Sequence, residues 1–172
     1  MFKVNDYVVY GSTGVCQITD ISKNEYTSDN ETEYYVLHPV FSNNMTIMIP
    51  VNNTKVVMRA IITKDAVASL LASIPEQETI WIDDERERVN NFKAALKTGE
   101  SEEWFKIIKT LHLEKEAKSV IGKKLTKTDE DIMNTAEKQL YEEFALALNI
   151  SPDEVSPYIH EHISKAIMQK TT

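Results

Sequence analysis

Cysteine is almost missing: Cys16 stands alone in 172 residues, so no disulfide can form within the chain, which suits a reducing cytoplasm. It sits between Val15 and Gln17 in an expected strand, where a small buried side chain is favoured over a nucleophile. Long apolar runs are missing too. None approaches the roughly 20 residues of a membrane helix, and Met1-Phe2-Lys3-Val4-Asn5-Asp6 lacks the apolar stretch of a secretory signal. A cytoplasmic protein without membrane contact is expected. There is no Gly-rich phosphate loop, no Cys/His cluster and no Gly-x-Ser-x-Gly elbow. The histidines His38, His112, His160 and His162 suggest no metal site, because His160 and His162, two apart on a helix, face different ways. The expectation is therefore a non-enzyme with no catalytic residues, no metal and no cofactor. Positive charge is also scarce, with 19 Lys and Arg against 27 Asp and Glu, a net charge of -8. That is awkward for a free-standing nucleic-acid binder, whose affinity comes mostly from neutralised phosphates. A local basic patch still serves if a partner already holds the DNA nearby.

What is present divides into two halves, and the length suits one mid-sized domain or two small ones. Residues 1–58 read as β. Tyr7-Val8-Val9-Tyr10 closes on Gly11-Ser12-Thr13-Gly14, and Val15 to Ile21 alternates with period two. Thr27-Ser28-Asp29-Asn30 reads as a turn before the strand Glu33 to Leu37. Asn43-Asn44 turns the chain into Met45-Thr46-Ile47-Met48-Ile49, which Pro50 stops, and Lys55 to Met58 forms a last short strand. Five short strands on tight turns suggest a small closed barrel.

Residues 63–172 read as helical. Thr63 caps a short helix carrying Ala66, Val67, Leu70 and Leu71, and residues 76–80 form an acidic connector. A helix is expected over 81–98, ending at Gly99, with Asp83-Asp84-Glu85 complementing its macrodipole. Ser101 caps the next helix, to about residue 118. Thr128 and Asp131 fit a capping box for a long helix to about residue 148, and Ser151-Pro152-Asp153-Glu154 fits a second. Pro157 argues for a short turn followed by a separate helix over 157–168.

Charge is segregated in this second half. On the expected 81–98 helix, Val89, Phe92 and Leu96 share a stripe, with Arg86, Asn90, Lys93 and Lys97 beside it. Arg86 to Lys97 spans about 16 Å, enough to follow several phosphates. The alternative is that these stems merely cover a buried apolar face. Residues 106–127 hold seven lysines, among them Lys106, Lys109, Lys123 and Lys124, against two glutamates, a local charge of +5. This is either an electrostatic footprint or a solvated helix face. Trp81 is either an interface residue or part of the Val89/Phe92 core, and Trp104 begins an apolar face and reads as core.

Several segments in order carry a family resemblance. Phe2 to Tyr10 followed by Gly14, Tyr34-Tyr35-Val36-Leu37, and Met45 to Pro50 resemble the opening of CarD/CdnL proteins. Leu96-Lys97-Thr98-Gly99-Glu100 and Ala136 to Ala145 resemble their second half, so the likeness covers about residues 1–150. The resemblance implies an α+β protein with a Tudor-like amino-terminal barrel and an all-α carboxy-terminal domain. It implies a non-enzymatic transcription regulator with two partners, the RNA polymerase β subunit and promoter DNA; a monomer is expected. In this family a Trp wedges into the minor groove at the upstream edge of the transcription bubble. By position, Trp81 is the candidate wedge and Arg86, Arg88, Lys93 and Lys97 are candidate phosphate contacts. Ile47, Met48, Ile49 and Pro50 match the polymerase-binding strand, with Lys23 and Asn24 beside it. The chain departs from the family pattern in having Met48 where relatives often carry Arg, and in the acids that follow Trp81. A polymerase adapter that never touches DNA is the other reading.

Overall fold

The computed structural model describes residues 1–23, 31–42, 44–79 and 81–170, apart from the side chains of residues 166, 167, 169 and 170. They form two compact units, Met1–Ile61 and Ile62–Thr172. The expected turn at Thr27 to Asn30 and the residues Asn24 and Asn43 lie outside the described residues.

The first unit is an antiparallel sheet of β1 (Tyr7–Tyr10), β2 (Gly14–Lys23), β3 (Glu33–Pro39), β4 (Ile47–Pro50) and β5 (Met58–Ala60), in the order β4-β3-β2-β1-β5. Gly14 opens β2 at φ 92, a backbone conformation that side chains oppose. Along β2 the pairing skips Thr19, passing from Ile18↔Leu37 to Asp20↔Val36. This one-residue bulge bends the strand and resets its alternation. Cys16 and Ile18 point into the core, and Ile21, which strict alternation would turn outward, packs there as well. The core joins Val8, Cys16, Ile18, Tyr35, Leu37 and Ile49, with Ile47 and Met58 packed against it, so all five strands contribute to it. The sheet therefore curls around one core, and the expected α+β class with a Tudor-like front is what the structure shows. Two details differ from the sequence reading. The last strand is Met58–Ala60, so the sheet runs past residue 58. In the described ladder β4 and β5 are the two edges, and side chains rather than a β4–β5 pairing complete the curl.

The second unit holds α1 (Lys64–Ser73), α2 (Glu85–Lys97), α3 (Ser101–Val120), α4 (Lys127–Leu148) and α5 (Pro152–Lys170). Thr63 caps α1 as expected, its side chain accepting from the Ala66 amide. Three starts fall elsewhere. Asp84 caps α2 by accepting from the Glu87 amide at 2.8 Å, so the helix begins after Trp81 instead of at it. Ser101 is the first residue of α3 and not its cap, because its hydroxyl is drawn to a buried carboxylate described below. The box opening α4 is Thr126 with Asp129, two residues before the expected pair. α5 runs unbroken through Pro157, against the expected break. The carbonyl this proline leaves without its helical amide belongs to exposed Asp153 in the first turn, while Val155 and Ile159 on the same helix are buried and hold it in place. The core comprises Val67 and Leu71 of α1, Trp104, Ile108 and Leu111 of α3, Ala136, Leu140 and Phe144 of α4, and Val155 and Ile159 of α5. Among the described residues no helix is long and apolar enough to cross a membrane.

Candidate functional site

The sheet offers a backbone edge at β4. Its inner neighbour is β3, through Ile47↔Leu37, Met48↔Val36, Ile49↔Tyr35 and Pro50↔Tyr34. As the end of the strand order, it can accept a further strand on its other side. Pro50, which has no amide to donate, closes the strand where an edge tolerates it. Period-two alternation turns Ile49 inward, while Met48 points outward with 45% of its surface exposed. Lys23 is exposed at the end of β2, paired in register with Glu33. Asn24, expected beside it, lies outside the described residues.

The helical unit places Trp81 in the segment before α2, half-buried. That position is neither the deep core nor an open loop. The Arg88 guanidinium lies over its ring, 4.3 Å from the centroid, and the Lys118 ammonium stands 5.7 Å away. Arg88 itself is 5% exposed. Its Nε donates to Asp129 Oδ1 at 3.2 Å and its Nη2 to Asp129 Oδ2 at 2.8 Å, a two-pronged ion pair. Its Nη1 donates to the carbonyls of Ile82 at 2.9 Å and Asp83 at 3.2 Å. The hydrogen bond to Asp129 raises the Arg88 pKa above its ordinary value, against the lowering effect of burial, so the charge is fixed. This corrects the expectation that Arg88 contacts phosphate: its donors are committed inside the protein. The reason is rotational. At i, i+4 and i+7, Arg88 shares the inward side of α2 with the half-buried Phe92 and Ala95 one and two turns on.

The other basic candidates separate into exposed and engaged groups. Arg86, Lys93 and Lys97 are exposed along α2, and Lys123 and Lys124 are exposed in the turn before α4. That turn is shaped by Gly122 at φ +70, with the Lys123 amide donating back to the Lys118 carbonyl at 2.8 Å. Lys106 pairs with Glu103 at 3.2 Å and Glu102 at 3.5 Å, the hydrogen bond to Glu103 raising its pKa. Lys109 is corrected as a phosphate contact. Its ammonium donates to the carbonyls of Ile74 and Gln77 at 2.8 and 2.6 Å, closing the 3-10 turn Ile74–Glu76. Of the acids after Trp81, Asp84 is turned into its capping role, while Asp83 and Glu85 are exposed.

A second buried carboxylate went unforeseen. Glu143 of α4 is fully buried, its Oε1 accepting from the Ile62 amide and its Oε2 from the Ser101 hydroxyl, each at 2.7 Å. It joins the entry to α1 and the start of α3 through one side chain. Neither Asp129 nor Glu143 stands out in the sequence, because each sits among other acids on a helix rich in them. Among the described residues no group of three or more His, Cys, Asp or Glu is placed to hold a metal ion.

Compared with known proteins, residues 2–62 match the family model described as CarD-like/TRCF RID domain. Residues 66–160 match the one described as CarD, C-terminal domain. No curated protein matches the chain.

Proposed function

This chain belongs to the CarD family, and from that premise we propose that it is a transcription regulator that binds the RNA polymerase β subunit and stabilises the open promoter complex. The family is one of transcription-associated, polymerase-interacting, non-enzymatic proteins. On this reading β4 pairs with a strand of the β subunit, with Ile47, Met48, Ile49 and Pro50 at the contact and Lys23 beside it. Main-chain hydrogen bonds supply the attachment, and the outward Met48 replaces any ionic contact with an apolar one. The helical unit then meets DNA at the upstream edge of the bubble. Arg86, Lys93, Lys97, Lys123 and Lys124 face phosphates, with Lys106 at the margin. Trp81 inserts at a distorted base step and hinders its re-closure. Polymerase holds both the sheet and the promoter, so the high effective concentration offsets the weak intrinsic affinity of an acidic chain.

The observation that carries this reading is Trp81: a half-buried indole braced from within by Arg88, with the half-buried Lys118 ammonium 5.7 Å from its ring. The adapter reading draws support from the net charge of -8 and from the removal of Arg88 and Lys109 from the phosphate set. Footprinting of promoter opening with the doubly reversed variant Lys93→Glu and Lys97→Glu separates the two. The DNA-contacting protein loses its upstream-edge protection and its effect on opening, whereas an adapter keeps its full effect.

A further inference from the structure

Resting on the reading of Trp81 as the DNA-contacting group, we infer that Arg88 and Asp129 are its positioning residues, a clasp that sets the angle and depth of the indole. Four bonds leave Arg88: two to Asp129, and two to the carbonyls of Ile82 and Asp83, the residues directly after Trp81. The carbon of the same guanidinium lies over the Trp81 ring, 4.3 Å from its centroid. One side chain therefore holds both the backbone that carries the indole and the indole itself. An apolar residue could fill the volume, and a lysine could supply the charge. Only the planar fork does both while stacking on a ring.

Stability alone explains this arrangement poorly. Buried ion pairs commonly contribute no more than well-packed apolar residues, because desolvation offsets their attraction. What they supply is fixed geometry, and here the geometry spans the unit. Asp129 lies in the first turn of α4, 41 residues on from Arg88. Its Oδ2 also accepts from the Thr126 hydroxyl at 2.9 Å, and its amide donates back to the same hydroxyl oxygen. Thr126 closes the turn that bears Lys123 and Lys124. The clasp thus locks the indole and the lysine turn to one helix start, and Lys118, near the end of α3, completes the group 5.7 Å from the ring. A wedge that must resist a closing base step needs such a rigid backing, since a free indole on a connector would yield.

The test uses the full chain labelled with 5-fluorotryptophan, which gives two fluorine lines, for Trp81 and buried Trp104, assigned with Trp81→Phe. Arg88→Met combined with Asp129→Leu removes the clasp without leaving a lone buried charge. Arg88→Lys keeps the charge and loses the fork, and serves should the double variant fail to fold. The expected result is a Trp81 line shifted toward its solvent-exposed position in both variants, with the Trp104 line unmoved. Open-complex lifetime with a matched polymerase falls on the order of tenfold, the scale of a lost desolvated cation–π contact. An unmoved Trp81 line, or a moved line with an unchanged lifetime, overturns the clasp. If Trp81→Phe and Trp81→Ala themselves leave lifetime unchanged while the line still moves, the wedge reading has failed and not the contact between Arg88 and Trp81.

Discussion

The two units solve the problem of presenting a surface in opposite ways. The core of the sheet unit buries no charged side chain among the described residues, and the surface proposed for it is a strand edge, a property of the backbone. The helical unit buries Arg88, Asp129 and Glu143, and the surface proposed for it is made of side chains, with Trp81 backed by Arg88. A strand edge is positioned by the regularity of its ladder and tolerates many residues. A single indole has no such regularity to lean on, so its support comes from named polar groups, each of which is costly to lose.

The contrast predicts unequal penalties. In the sheet, Leu37→Ala is expected to cost about 2–5 kcal/mol by cavity formation. Hydrogen exchange should show the loss of protection confined to residues 1–61, and protection lost equally in the helices would erase the distinction between the units. Replacing Glu143 with Leu removes the acceptor of the Ile62 amide bond and one partner of the Ser101 hydroxyl. Leaving a buried neutral donor without its acceptor costs about 1–3 kcal/mol, to be read from urea unfolding at unchanged slope. A penalty under about 1 kcal/mol would mean those donors find other partners. Met48→Glu touches an outward edge position, so stability should stay within about 0.5 kcal/mol. Polymerase capture should nonetheless weaken, and full capture would move the contact off β4. The smallest effect belongs to Glu142. Burial raises its carboxyl pKa, with the opposing charge of Lys138 offsetting part of the shift. Its ionised form is therefore disfavoured in the fold, so its contribution to stability is best at low pH and declines as pH rises through the raised pKa. Glu142→Gln should gain a few tenths of a kcal/mol, roughly, at pH 7 and nothing at pH 4; equal gains at both would exclude burial as the cause.

Much of the fold can be read from local pattern. Alternation in Val15 to Ile18, the helical spacing of Val67 and Leu71, and Thr63 as a cap all mark their elements. The bulge at Thr19 leaves a trace only in hindsight, as a core isoleucine at Ile21 out of phase with Ile18. The site was less legible. Exposure of Arg86, Lys93 and Lys97 follows from their helical phase beside the Val89, Phe92 and Leu96 stripe. Arg88 falls on the other side of that stripe, and only the family resemblance made it a candidate phosphate contact. Its true role depends on Asp129, 41 residues away, and no local pattern reports a partner at that distance. Lys109 was misread for the same reason, since its carbonyl partners belong to a turn 32 and 35 residues earlier.

The decisive measurement is the lifetime of the open promoter complex after competitor challenge, with a matched polymerase, for the intact chain and for Trp81→Ala. The intact chain should prolong that lifetime, and the variant should lose most of the effect while still folding and still binding polymerase. An intact chain that leaves the lifetime unchanged, or a variant that prolongs it equally well, would contradict a DNA-bracing role for the helical unit.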